Sequence, residues 1–120
     1  LIIVNKSNPV ETLSASEVKL YWLRKIKKRW PELNKNIRPA DRKSECAERK
    51  IFYDEILKMS SIEVENYFTQ KQYESAEKPQ DKLSSEDEMI DFVETELGAI
   101  GYVSSKSNID GKNLKVVARF

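Results

Sequence analysis

The sequence predicts an α/β domain with a mixed β-sheet flanked by about four helices. Three observations carry that expectation. Residues 1–4 form an unbroken run of β-favouring apolar side chains, and similar short runs recur at 99–103 and 114–118. Between them lie segments with helical apolar spacing, several of them preceded by a serine that can cap a first turn. Strands separated by helices favour a layered α/β arrangement over a bundle or a sandwich. At 120 residues and 39% hydrophobic content, the chain supports one compact core, and residues 1–120 are assigned to a single domain.

Taken in order, the apolar run at 1–4 is ended by Asn5-Lys6-Ser7-Asn8-Pro9, a cluster of turn formers, and reads as a buried strand. Ser14 or Ser16 caps a helix over roughly 15–28, and Glu17, three residues after Ser14, completes a capping box. Val18, Tyr21, Trp22, Lys25 and Ile26 alternate with charge along it, and Leu20 and Leu23 widen the apolar face; Trp30-Pro31 closes the segment. Residues 36–40 form a short extended piece around Ile37. Ser44 is then a candidate cap for a helix over roughly 45–58, with Ile51, Phe52, Ile56 and Leu57 toward the core. A third helix is expected over 61–72, with Ile62, Val64, Tyr67 and Phe68 as its apolar members. Residues 75–81, polar and interrupted by Pro79, read as a loop and as the most mobile part of the domain. Ser84 or Ser85 caps a fourth helix over 86–97, whose early Glu86, Asp87 and Glu88 suit the positive end of the helix dipole, and Gly98 is the expected C-terminal cap. A strand at 99–103 containing Gly101 and a last strand at 114–118, after an Asp110-Gly111 turn, complete the chain.

Charge is balanced overall at +1 but unevenly placed. Residues 1–60 carry 14 basic and 8 acidic side chains, residues 61–100 carry 3 and 11, and the remainder 4 and 1. Such a dipole orients a partner or ligand without naming it. The basic stretch Lys19 to Trp30 is interleaved with aromatics, but a surface helix ordinarily buries one stripe and solvates the rest, so no nucleic-acid partner is expected. The apolar run at 1–4 is far too short for a membrane span or the core of a signal peptide. Cys46 is the sole cysteine and the chain has no histidine, which removes an intrachain disulfide, Ser-His or Cys-His catalysis and imidazole metal ligation. The acids of 86–96 are spread along a helix rather than spaced as a metal loop. The expectation is a non-enzymatic domain with no cofactor.

Several local motifs resemble the second lobe of the phosphate-type periplasmic solute-binding proteins of ABC transporters. They are Ile2-Ile3-Val4-Asn5; Leu13-Ser14 leading a helix that runs to Lys25-Ile26-Lys27-Lys28-Arg29-Trp30; residues 39–44 ahead of Phe52; and Gly98-Ala99-Ile100-Gly101-Tyr102-Val103, the most specific of them. The resemblance implies a single lobe of a type II periplasmic binding protein, exported to the periplasm or otherwise outside the cytoplasm, its signal removed and the chain a mature or trimmed form. In that family an Arg-x-Asp-x-Ser-Gly-Thr type motif places hydroxyls and amides around a phosphate at a helix start, where unpaired amides favour an anion. The matching stretch here is Arg38-Pro39-Ala40-Asp41-Arg42-Lys43-Ser44-Glu45-Cys46. Ser44 matches the family serine, Arg42 or Arg38 stands in for the arginine, and Asp41 lies one place from the acid. Glu45 replaces the glycine and Cys46 the threonine, adding a carboxylate and bulk where backbone approaches a dianion. The resemblance thus implies phosphate or another small anion as ligand, held weakly by Ser44, Arg42, Arg38 and Asp41. The alternative is a cell-envelope scaffold or adaptor that keeps the lobe for a protein partner.

Overall fold

The computed structural model describes residues 1–25 and 28–120. Five strands, β1 (Ile2–Asn5), β2 (Arg38–Arg42), β3 (Asp81–Leu83), β4 (Ala99–Tyr102) and β5 (Leu114–Ala118), form one mixed sheet in the order β3-β2-β4-β1-β5. Strand β2 runs parallel to β3 and β4, while β1 is antiparallel to β4 and β5. Four helices accompany them: α1 (Ala15–Trp22), α2 (Ala47–Ile51), α3 (Ser61–Ser75) and α4 (Glu86–Thr95). Helix α2 continues without a break into a π-helical segment, Phe52–Leu57. No helix among the described residues is long and apolar enough to cross a membrane.

Helices cover the sheet on both faces, which is why every residue of β1 and β4 is buried and why β1 reads as continuous apolar sequence rather than alternation. Helix α4 packs on one face; Gly101 of β4 points at it, and a Cβ there would stand 2.6 Å from Met89 Sδ. On the other face Tyr102 of β4 stacks on Phe52 of the π-helical segment with ring centroids 4.4 Å apart. Trp22 of α1 meets Phe52 and Phe68 edge-on at 5.1 and 5.5 Å, and its indole N–H donates to the Ala40 carbonyl of β2. Fully buried, Trp22 thus contributes both aromatic area and a satisfied polar edge.

Both capping boxes follow from serine spacing. Ser14 accepts from Glu17 N–H while Glu17 receives the Ser14 N–H, and Ser60 and Glu63 repeat the arrangement at α3. Ser85, not Ser84, is the N-cap of α4.

Several expectations are corrected. Helix α1 ends at Trp22 because Leu23 caps it and Arg24 turns left-handed at φ 52°; Ile26 and Lys27 of the expected helix lie outside the described residues. Ser44 does not cap α2: Cys46 is the N-cap and supplies no side-chain bond. The expected single helix over 45–58 widens to π geometry at Phe52, which turns Phe52, Tyr53, Ile56 and Leu57 inward and leaves Ile51 45% exposed instead of in the core. Ile62 is 74% exposed, since Val64 and Phe68 already fill the buried face of α3.

Gly98 is not a left-handed cap either, because α4 ends through Glu96 in extended backbone. A Cβ at Gly98 would lie 2.0 Å from the Asn36 carbonyl oxygen, so glycine is required there by backbone approach. The stretch 75–81 is shared between the last residue of α3, a short connection and the start of β3, a three-residue strand that sequence periodicity could not reveal. Pro39 is tolerated in β2 because the ladder to β3 begins only at Ala40.

Candidate functional site

Parallel strands β2, β3 and β4 end on the same side of the sheet, and α2 and α4 start there. In open α/β sheets ligands sit outside the carboxyl ends of such strands. The polar centre of this edge is Asp41, the penultimate residue of β2 and only 1% exposed.

Its Oδ1 accepts from the Tyr102 hydroxyl and from Arg42 N–H at 2.8 Å; its Oδ2 accepts from the Tyr53 hydroxyl at 2.5 Å and from Gln80 Nε2 at 3.5 Å. The Arg49 guanidinium stands 3.9 Å from Oδ1. One carboxylate therefore ties β2, β4, the π-helical segment and the approach to β3 together. Burial, reinforced by the negative charge of Asp41, pushes both the Tyr53 and Tyr102 hydroxyls well above the ordinary phenol range, so both remain protonated donors at neutral pH.

Two arginines flank this centre. Arg42, with a side chain 15% exposed, reaches Glu48 Oε2 at 3.3 Å. Arg49, 12% exposed, donates from Nη2 to the Tyr53 hydroxyl at 3.2 Å and lies over the Tyr53 ring with its Cζ 4.5 Å from the centroid. Beside Arg49 opens a cleft of about 580 Å³, bordered by Glu45, Cys46, Lys50, Tyr53, Asp54 and Ser60 among others. That is within the range of small-ligand pockets. Lys50 and Asp54 pair across its rim at 2.8 Å. Burial pushes the Cys46 thiol up, leaving it neutral at the mouth.

The structure brings Asp41 and Arg42 together and places Ser44, exposed, two residues beyond them in the loop that leads to α2. Arg38 is not with them. It begins β2 at the opposite edge, about 13 Å along the strand from Arg42 at roughly 3.3 Å per residue. There it is held by Asp81 at 3.1 Å and Glu96 at 2.9 Å, over the ring of Phe92. Arg49 and Tyr53, by contrast, are brought to the site by one turn of helix. Their i, i+4 spacing after Arg42 and Ser44 was the available signal. Gln80, in the stretch read as a polar loop, is 4% exposed and reaches Asp41.

No family model and no curated protein matches the chain. A solved structure does. An X-ray structure from Clostridium perfringens, described as a phosphate ABC transporter substrate-binding protein with bound phosphate, superposes with a TM-score of 0.73 at 20% identity. The match covers 97% of this chain and 42% of that one, so the chain spans less than half the length of the protein it resembles. At this level of identity the likeness speaks for the fold: the chain has the α/β architecture of a single lobe of a periplasmic binding protein.

Proposed function

We propose that this chain is a solute-recognition lobe of the ABC-transporter substrate-binding kind, acting outside the cytoplasm by non-covalent capture of phosphate or a related oxyanion. The observation that carries the reading is positional. Two arginines, Arg42 and Arg49, stand at the carboxyl edge of the parallel strands, in the fold of a protein that was crystallised with phosphate bound. Recognition rather than catalysis fits the side chains there: the buried acid is spent on two phenols that hold their protons, and the chain has no histidine to act as a base.

A second reading, a cell-envelope adaptor, is favoured by the internal pairing of the same arginines. Glu48 engages Arg42, Asp41 lies beside Arg49, and Glu45 adds a further carboxylate next to the cleft. Calorimetric titration of the folded domain with phosphate and with sulfate at low salt separates the two. Saturable, phosphate-preferring heat supports solute recognition. Absence of heat from both anions overturns it in favour of protein docking, where affinity comes from complementary charged faces.

A further inference from the structure

The guanidinium of Arg49 is largely buried and incompletely hydrogen-bonded where it stands. Its side chain is 88% removed from solvent, yet a guanidinium carries five N–H donors and the only hydrogen bond it makes among the described residues runs from Nη2 to the Tyr53 hydroxyl. Its Nε is buried without a hydrogen-bond partner, and the nearest Asp41 oxygen, at 3.9 Å, is beyond hydrogen-bonding range. A buried donor left unsatisfied costs stability, and in a folded chain such a group calls for an explanation, a bound ligand being one. The side chain is also fixed. The Tyr53 ring lies beneath the guanidinium, the Tyr53 hydroxyl holds one end, and that hydroxyl is itself anchored on Asp41. Because burial keeps the phenol protonated, this anchor persists across the neutral range. The result is a planar fork of donors, with little rotamer freedom left to lose, in the wall of the 580 Å³ cleft.

We propose that this cleft is an oxyanion site in which Arg49 is the principal donor, with Tyr53 and Asp41 as positioning residues. The inference rests on the solute-recognition reading but moves its centre. The anion is gripped by a side-chain fork inside the cleft rather than at Ser44 and the start of α2, where Glu45 and Glu48 bring carboxylates and no side chain caps the helix. The recognised group is a pair of oxygens that can accept side by side from a guanidinium, as phosphate and carboxylate both can. Glu45 and Asp54 border the same cleft, so repulsion limits affinity for groups that carry more than one negative charge.

The test titrates the folded chain with inorganic phosphate and, separately, with acetate, which distinguishes the two sources of such a group. Arg49→Lys keeps the positive charge beside Asp41 but loses the fork, and is expected to weaken binding about tenfold. Arg49→Gln is expected to weaken it further, with circular dichroism confirming that the variant is folded. Lys112→Gln, which removes an exposed charge away from the cleft, leaves affinity unchanged. If the wild type binds and both Arg49 variants bind within twofold of it, the inference is overturned while solute recognition stands, with Ser44→Ala then expected to abolish binding. If neither anion binds the folded wild type, the inference and the reading beneath it fail together.

Discussion

Replacing Asp41 by asparagine changes almost no volume and isolates the charge at the centre of the fold. The orientation of the new amide is set by its neighbours. Oδ1 accepts from a backbone N–H, Arg42 N, which cannot turn away, so the asparagine oxygen takes that position and the NH2 faces Tyr53 and Gln80. Tyr53 then has to turn its hydroxyl proton elsewhere, and the bond from Tyr102 falls from a charge-assisted to a neutral one. Hydrogen bonds to charged groups contribute about 1.5–3 kcal/mol against about 0.5–1.5 for neutral pairs, so the two phenols together lose about 2 kcal/mol. The Arg49 guanidinium, 3.9 Å away and largely buried, loses its nearest counter-charge. Removing one partner of a fully buried pair costs about 3–5 kcal/mol; at this longer distance, with part of the guanidinium solvated, about 1–2 kcal/mol is expected.

The sum, about 3–4 kcal/mol, is a large share of the roughly 5–15 kcal/mol by which a domain is ordinarily stable. Urea denaturation of wild type and Asp41→Asn, with an unchanged slope and a lowered midpoint, measures it. A cycle with Tyr102→Phe then checks its origin. If the carboxylate is the hub, the two substitutions couple by at least about 1 kcal/mol, because they share one interaction. A loss below about 1 kcal/mol for Asp41→Asn, or strict additivity in the cycle, would show that the network is geometric decoration and not a source of stability.

Other expectations follow from equally local features. Gly98→Ala drives a Cβ to within 2.0 Å of a backbone oxygen that cannot swing aside, and thermal unfolding should report a loss at or beyond the upper end of the about 1–3 kcal/mol typical of overpacking. Gly101→Ala meets the Met89 thioether instead, a flexible neighbour, and should cost about 1 kcal/mol. Ser60→Ala removes the side-chain acceptor of a capping box and should cost about 1 kcal/mol by urea midpoint. The two phenols give an alkaline signature. Their folded-state values lie above the ordinary 10.0, so the unfolded chain releases these protons first as pH rises. Their contribution is complete below about pH 10 and declines above it, by about 1.4 kcal/mol per phenol per pH unit. Stability measured against pH should bend downward there, and less steeply in Tyr53→Phe.

Much of this fold was legible because its signals are local. Residues 2–4 and 99–102 are apolar on both sides of the pleat, and a strand covered on both faces has to be. Ser14-Glu17, Ser85 and the helices they begin announce themselves within four residues. What could not be read is what depends on distant backbone. Gly98 looks like a helix cap in sequence, but its requirement comes from Asn36, sixty-two positions earlier. Strand β3 has three residues and exists only because β2 offers it a parallel edge. The π-helical segment that begins at Phe52 packs on Trp22 and Tyr102, partners far away in sequence that a local pattern does not reveal.

The site divides along the same line. Read linearly, Arg38, Asp41, Arg42 and Ser44 form one seven-residue motif; in space, a strand separates Arg38 from the others, because β2 carries its two ends to opposite edges of the sheet. The linear motif also treats Asp41 as a ligand group, whereas five residues drawn from four parts of the chain make it the least accessible carboxylate of the cluster. Its Oδ2 holds the Tyr53 hydroxyl, and that hydroxyl holds the guanidinium of Arg49, a residue of the cleft wall. In the proposed oxyanion site, an acid that sequence places in the ligand shell acts one step behind it, so substitution of Asp41 should alter stability first and anion affinity only through Arg49.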